Sequence, residues 1–356
     1  MWERALYLTD KGHAVTVVAG GFADAARNEV ISGINVVRLG GGILSLWWRT
    51  FFYYMTRLRG KYDVAVVEGF GGSRIPRFTP LYVKEPIITE WHQIHRDLFA
   101  VQYPRLLGPA LNTLERLTAF VHRNTVVMAR TREWQEAFSR IGFKADRIFI
   151  VPACISEDWL KDDKIEPVTE PQIVWLGKFR RYKCPDHAIR AMREVVQAVP
   201  NARLVLAGRH DDRKYEAELF SLVEELGLRG VVEFQFGITE AQKRALLKSS
   251  RVMVLPSSVE GFGIVVLEAN ASGVPLIASS GVPASAVKQG FNGQRYPFAD
   301  IGGLARCLVA VLTDDKLYGQ LSANSLAFAK QFAWRDVCAE YERVIAMTAD
   351  SHRHAG

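Results

Sequence analysis

Two glutamates with seven residues between them frame the run Glu260-Gly-Phe-Gly-Ile-Val-Val-Leu-Glu268. The apolar residues 251–256 before it read as a buried strand, 257–262 as a loop and 263–272 as a helix, so Glu260 lies on the loop and Glu268 on the helix. At the start of that helix the amides of Phe262, Gly263 and Ile264 have no intrahelical acceptor, and the helix dipole adds positive potential. A diphosphate suits such an end, and Gly261 and Gly263 let the backbone come close to it. Two anchored carboxylates beside an anion site fit a ligand with hydroxyls on both sides of a diphosphate, a ribose on one side and a sugar on the other. That is the constitution of a nucleotide sugar. For an arbitrary pair of glutamates the ordinary reading is a solvated loop residue and an exposed helix charge, since ionised carboxylates are rarely buried. The surroundings argue against that reading here.

The elements that must position these residues run the length of the chain. Short apolar runs rich in β-formers alternate with longer helical patterns, the arrangement of parallel sheets with crossover helices. Strands are expected at 13–19, 34–39, 63–68, 86–91, 125–129 and 147–151. After a polar stretch at 156–170, a second series follows at 172–177, 202–207, 231–236, 251–256, 274–279 and 294–296. Two doubly wound parallel-sheet halves with a hydrophilic linker would place a ligand in the cleft between them, at the carboxyl ends of the strands.

The glutamate run continues as Ala269-Asn-Ala-Ser-Gly273-Val-Pro275-Leu-Ile-Ala278, a helix closed by Gly273 and followed at once by an apolar strand. This passage resembles the nucleotide-binding signature of the family 4 (GT4-like) retaining glycosyltransferases: E-G-F-G, a second Glu, and a small-residue helix ending in G-x-P. The resemblance extends from Gly12-His13 to Phe332-Ala333-Trp334. It implies an α/β protein of the GT-B fold, with two Rossmann-like doubly wound parallel-sheet domains facing a central cleft. Residues 1–155 would form the acceptor-side domain and 171–330 the nucleotide-sugar-binding domain, with a last helix at 334–348 packing back on the first. Family members open with a strand and a glycine-rich loop before their first helix, whereas Met1-Trp2-Glu3-Arg4-Ala5-Leu6 reads as that helix. An incomplete amino end is therefore expected in preference to a first domain without its central strand, which would leave two sheet edges open.

The resemblance also implies roles. Lys178-Phe-Arg-Arg-Tyr-Lys183 is similar to the family's G-R-L-x-x-x-K-G loop, with Lys178 in place of Arg, so Lys178 and Lys183 would hold the diphosphate and stabilise it as it leaves. Lysine does this as a point charge, without the planar fork of arginine. A basic surface loop is the other reading, but the loop follows a strand end, where ligands of open α/β sheets bind. Glu260 would bind the donor sugar and stabilise developing positive charge, and Glu268 would bind the ribose. His92, at the end of the strand 86–91, stands where related enzymes carry a histidine facing the donor sugar, and it reads either as a catalytic residue or as a satisfied structural one. Several flanking motifs depart from the family. Gly208-Arg209-His210 lacks the second glycine of a G-x-G turn, Val151-Pro-Ala-Cys-Ile-Ser156 replaces I-P-N-G-I-D, and Ser285 stands where a Glu often precedes G-x-N-G. No D-x-D lies near the site. The expected reaction is a metal-independent, retaining hexosyl transfer from a UDP- or GDP-linked sugar to a sugar or lipid-linked acceptor, in cell-surface polysaccharide or glycolipid synthesis. A noncatalytic or truncated glycosyltransferase-like subunit that binds a glycan or protein partner is the competing reading. A nucleotide-sugar epimerase or phosphorylase is a third.

Composition leaves these classes open and closes others. The 356 residues, 49% hydrophobic and 23% charged, suffice for two cores. Cys154, Cys184, Cys307 and Cys338 have no C-x-x-C spacing, which argues against a zinc site or disulfide framework and reads as buried, reduced thiols. There is no apolar run of spanning length and no signal-peptide pattern at the amino end, so a cytoplasmic protein is expected. The net charge of +7 carries no nucleic-acid-binding module with it. The stretch 44–61 combines Trp47, Trp48, Phe51 and Phe52 with Arg49, Arg57, Arg59 and Lys61. It reads either as a helix resting on the anionic inner face of a membrane or as a crossover helix packed on the sheet.

Overall fold

The computed structural model describes residues 2–40, 42–69, 78–95, 98–99, 107–161 and 168–353. They form two compact units, one running to Pro152 and including the segment from Trp334 onward, the other Ala153–Ala333.

In the first unit, strands β1 (Thr16–Gly20), β2 (Asn28–Ile31) and β3 (Ile34–Leu39) form one sheet in the order β1-β3-β2. Strands β4 (Ala65–Glu68), β5 (Ile87–Glu90), β6 (Val126–Ala129) and β7 (Ile148–Ile150) form a second, all-parallel sheet in sequence order. Sequence reading did not anticipate β2, and it is antiparallel to β3. Its cause is a two-residue turn at Ser32-Gly33, where both residues have positive φ (51° and 80°) and the primed geometry matches strand twist. The pattern at 44–61 also resolves into two parts: an α-helix, Ile43–Tyr53, runs into a π-turn at Tyr54–Leu58. Trp48, Phe52, Arg49, Arg57, Arg59 and Lys61 are exposed, while Tyr54 is buried and donates to Glu85 at 2.6 Å. Among the described residues no helix is long and apolar enough to cross a membrane. The expectation of four buried thiols holds for Cys184 and Cys338 but not for Cys154, in a loop, or Cys307, within the helix Ile301–Thr313, both of which are half-exposed.

Glu90 ends β5 and is 2% exposed. Arg4 of the helix Trp2–Asp10 reaches one of its oxygens at 2.7 Å, and Arg130, just beyond β6, reaches the other at 3.0 Å. The same guanidinium groups donate to the carbonyls of Pro152 and Val151, and Arg4 lies over the ring of Tyr341 in the helix Trp334–Arg353. That helix also packs Trp334 edge-on against Tyr7. One buried carboxylate thus joins the first helix, two strand ends and the last helix.

The second unit is built on six parallel strands: β8 (Gln172–Lys178), β9 (Arg203–Arg209), β10 (Val232–Phe236), β11 (Val252–Leu255), β12 (Leu276–Ser279) and β13 (Gly293–Tyr296). Their order is β10-β9-β8-β11-β12-β13. Both faces are covered, which is why these strands read as nearly continuous apolar runs. Ile173 and Trp175 face the helices Pro185–Ala198 and Ile301–Thr313, while Val174 and Leu176 face the helix Ile264–Ala271. Strand order reverses between β8 and β11, the place at the carboxyl edge where ligands of such sheets bind.

Burial works against the Glu90 carboxylate, but Arg130 and Arg4 more than offset it and hold its pKa at about 2. Its stabilising contribution is therefore complete above the unfolded carboxyl value of 4.5 and is lost as pH falls from there toward 2. Replacing it by Glu90→Gln leaves two buried guanidinium groups without their anion. Urea unfolding at pH 7 should show a loss of about 3–5 kcal/mol, and that difference should shrink as the pH is lowered below 4.5.

Candidate active site

The loop after β8 carries Lys178, exposed at the strand end, and Lys183, half-buried in a short 3-10 turn at Arg181–Lys183. The loop after β11 carries Glu260, 5% exposed. The two loops are tied together: the amide of Ser258 donates to the carbonyl of Tyr182 at 2.8 Å, and Lys183 Nζ forms an ion pair with Glu260 Oε1. Ser257 Oγ donates to the same oxygen at 3.1 Å, and the Glu260 amide donates to the Gly281 carbonyl. Burial disfavours the Lys183 ammonium, but Glu260 outweighs that and raises its pKa. Lys183 and Glu260, which the family resemblance would assign to the diphosphate and the donor sugar, therefore neutralise each other. Sequence alone places them on two separate loops.

Gly263 caps the helix Ile264–Ala271 with φ +85° and ψ +98°, a conformation glycine adopts far more readily than other residues. Among the described residues, the amides of Phe262, Gly263 and Ile264 donate to no backbone carbonyl, and Ile264 is exposed. Glu268 lies one turn further along and is 7% exposed. Its Oε1 accepts from Lys243 at 2.6 Å, while its Oε2 is buried with no hydrogen-bond partner. Burial pushes the Glu268 carboxyl up, and Lys243 offsets that only in part. Lys243 is a site residue that sequence reading missed. It stands on the helix Glu240–Lys248, also pairs with Glu240 at 2.9 Å, and lies over the ring of Trp159. The capping box at Thr239 and Gln242 announces this helix, but no motif links Lys243 to a glutamate 25 residues away. Arg209 is a second omission. It pairs in register with Lys178 across β8 and β9, placing two exposed cations at one sheet edge.

His92 belongs to the first unit. Its Nδ1 accepts from Arg130 Nε at 3.2 Å, which assigns the remaining proton to Nε2. Lost solvation, Arg130 and Arg4 lower its pKa to about 4. Part of the ring stays exposed, so the neighbouring guanidinium is the firmer cause. The residue is a neutral N–H donor at physiological pH.

The family model described as glycosyl transferases group 1 matches residues 157–327. An uncharacterised glycosyltransferase of Methanocaldococcus jannaschii is 38% identical over 294 residues, covering 77% of this chain and 73% of that one. The chain belongs to the group 1, family 4-type glycosyltransferases. A D-inositol 3-phosphate glycosyltransferase of Xylanimonas cellulosilytica is 28% identical over 236 residues, 62% of this glycosyltransferase and 56% of the relative. The match to the Corynebacterium aurimucosum protein of the same name covers 44% of that protein, so the chain spans about half the length of these two curated relatives. Among solved structures, sucrose-phosphate synthase from Thermosynechococcus elongatus superimposes with a TM-score of 0.82 at 18% identity, over 98% of this chain and 92% of that one. HepE of Anabaena in complex with UDP and glucose gives 0.72 at 17%, over 97% and 94%. WaaG, a glycosyltransferase involved in lipopolysaccharide biosynthesis, gives 0.74 at 18%, over 97% and 94%. These structural likenesses establish the GT-B fold of the glycosyltransferase.

The histidine geometry has a direct readout. Followed by NMR, the His92 ring should titrate near pH 4, and Arg130→Met should raise its midpoint by removing one cation and one partner of Glu90. A wild-type midpoint near 6.5 would contradict the assignment.

Proposed function

We propose that this glycosyltransferase moves a hexose from a UDP- or GDP-linked sugar to a sugar or lipid-linked acceptor, with retention at the anomeric carbon and no divalent ion at the diphosphate. The observation that carries the reading is the unpartnered Oε2 of buried Glu268, a short step along the helix from the free amides of Phe262, Gly263 and Ile264. A buried carboxylate oxygen without a donor has lost its solvation and is poised to accept hydroxyls. Vicinal ribose hydroxyls supply that chemistry, and Lys243 keeps the other oxygen occupied and the side chain oriented.

Donor binding would then work as an exchange of partners. A diphosphate carries more negative charge than Glu260 and draws Lys183 toward itself, with Lys178, Arg209 and the helix start adding positive potential. Glu260 is released from Lys183 to bind sugar hydroxyls and stabilise the developing oxocarbenium charge. The anomeric carbon breaks its bond to the diphosphate oxygen and forms one to the acceptor oxygen on the same face, and the acceptor proton passes to the departing oxygen. His92, neutral and donating through Nε2, would serve the donor sugar as a hydrogen-bond donor. The complexed UDP and glucose of HepE support this class of donor. The activity named for WaaG supports a role in cell-surface glycolipid or polysaccharide synthesis. Exposed Trp48 and Phe52 beside Arg49, Arg57, Arg59 and Lys61 support peripheral attachment to an anionic membrane surface on the cytoplasmic side, where a lipid-linked acceptor would be met.

Thermal stabilisation by a panel of nucleoside diphosphates and sugar nucleotides should reveal one preferred base. Glu268→Ala should weaken that ligand by about 10–100-fold, the worth of hydrogen bonds to a charged group. Lys183→Ala should weaken diphosphates more than nucleosides. Nucleoside diphosphate should be released only with an acceptor present, added Mg2+ or Mn2+ should not raise the rate, and NMR of the product should show the donor's anomeric configuration. Binding without turnover across an acceptor panel would favour a noncatalytic subunit, and an inverted product would exclude the same-face mechanism. Sedimentation with anionic but not neutral vesicles, reduced in Trp48→Ala/Phe52→Ala, tests the membrane contact.

A further inference from the structure

The run Cys184-Pro-Asp186-His187 follows Lys183 directly and opens the helix Pro185–Ala198. Donor atoms of Cys184, Asp186 and His187 all lie within 4.8 Å of one another. Cys184 adopts φ +48° and ψ +46°, the left-handed region that glycine enters freely and a β-carbon resists. The chain thus carries local strain at a residue whose thiol is buried. Around the three residues, polar groups are arranged as outer partners of a ligand set. The Tyr215 hydroxyl donates to Asp186 Oδ1, leaving Oδ2, which lies 4.0 Å from His187 Nε2. His187 Nδ1 is buried without a partner. The hydroxyl of Tyr296, a residue 3% exposed, is also unpartnered and lies within electrostatic reach of Cys184 and Asp186.

We infer that Cys184, Asp186 and His187 bind one Zn2+ ion through a thiolate, a carboxylate oxygen and an imidazole nitrogen. This mixed sulfur, oxygen and nitrogen set suits zinc better than the oxygen-loving Mg2+ or Ca2+. On a tetrahedral ion the usual bond lengths put ligand atoms about 3.3–3.8 Å apart, so the observed cluster closes by small side-chain adjustments. Tyr215 then orients the ligating carboxylate. Burial pushes the Cys184 thiol up to about 12, and the Asp186 charge adds to this, so uptake of the ion transfers the thiol proton to solvent. The thiol's present contact with the Arg181 carbonyl, at 3.2 Å, is exchanged for the metal bond. The ion would staple the loop that bears Lys183 to the helix behind it, a structural role separate from diphosphate chemistry.

The test is a titration of chelator-stripped protein with Zn2+ against a chromophoric chelator, with Co2+ as a spectroscopic substitute. Wild-type protein should take up one ion per chain and show a thiolate-to-cobalt charge-transfer band. Cys184→Gly suits the left-handed backbone, so it should fold, lose the band and bind zinc at least about a hundredfold more weakly, the upper end of what loss of a mere outer partner costs. His187→Ala should weaken zinc comparably, and Cys154→Ser should change nothing. Equal zinc affinity in wild type and Cys184→Gly, a cobalt complex without the thiolate band, or no uptake by wild type would each overturn the inference. None of these readouts involves nucleotide, so such a failure leaves the donor-site reading standing.

Discussion

A carboxylate taken out of water needs compensating partners, and three buried carboxylates met by cations organise this glycosyltransferase. Glu90, Glu260 and Glu268 are all buried, and each is paired with lysine or arginine delivered by a different element. An uncompensated charge in these positions would be prohibitive, so the elements bearing the cations have to dock where they do. In the first unit this brings Arg4 and Arg130 to one strand end. In the second it holds the loop after β8 against the loop after β11, and the helix Glu240–Lys248 against the helix Ile264–Ala271.

The pairs of the second unit differ in a way that bears on function. Glu260 has both Lys183 and Ser257 on one oxygen, an arrangement that a competing anion can rearrange. Glu268 has one oxygen satisfied and the other buried without a partner, an arrangement that a ligand can complete. In the proposed function the first would act as a latch whose cation moves to the diphosphate. The second is a fixed acceptor whose geometry is set before ligand arrives, so little ordering cost remains to be met on binding. Arranged around a helix start whose amides donate to no backbone carbonyl, they are the two features on which the proposed recognition of a nucleotide sugar rests.

Much of this was legible in the residues. The twelve expected strands correspond to observed ones because parallel strands covered on both faces leave continuous apolar runs, a pattern that needs no tertiary knowledge. The β2 hairpin escaped because it is short, half-exposed and set by a turn whose signal is only Ser32-Gly33. The Cys184, Asp186 and His187 cluster escaped for a related reason: its spacing is compact and mixed, unlike the paired cysteines that usually mark a metal site.

The sequence by itself determined the alternation of strands and helices, the helix start at Gly263 with its flanking glutamates, and the resemblance that the family match bears out. These are local properties, encoded in periodicity, glycine placement and contiguous motifs. Only the tertiary structure decided which cation answers which carboxylate: Lys183 for Glu260, Lys243 for Glu268, and Arg4 with Arg130 for Glu90. It also set Arg209 beside Lys178 through the register of β8 and β9. The physical reason is that ion pairing depends on distance through space and on shared exclusion of water, and neither quantity is written in the separation of residues along the chain.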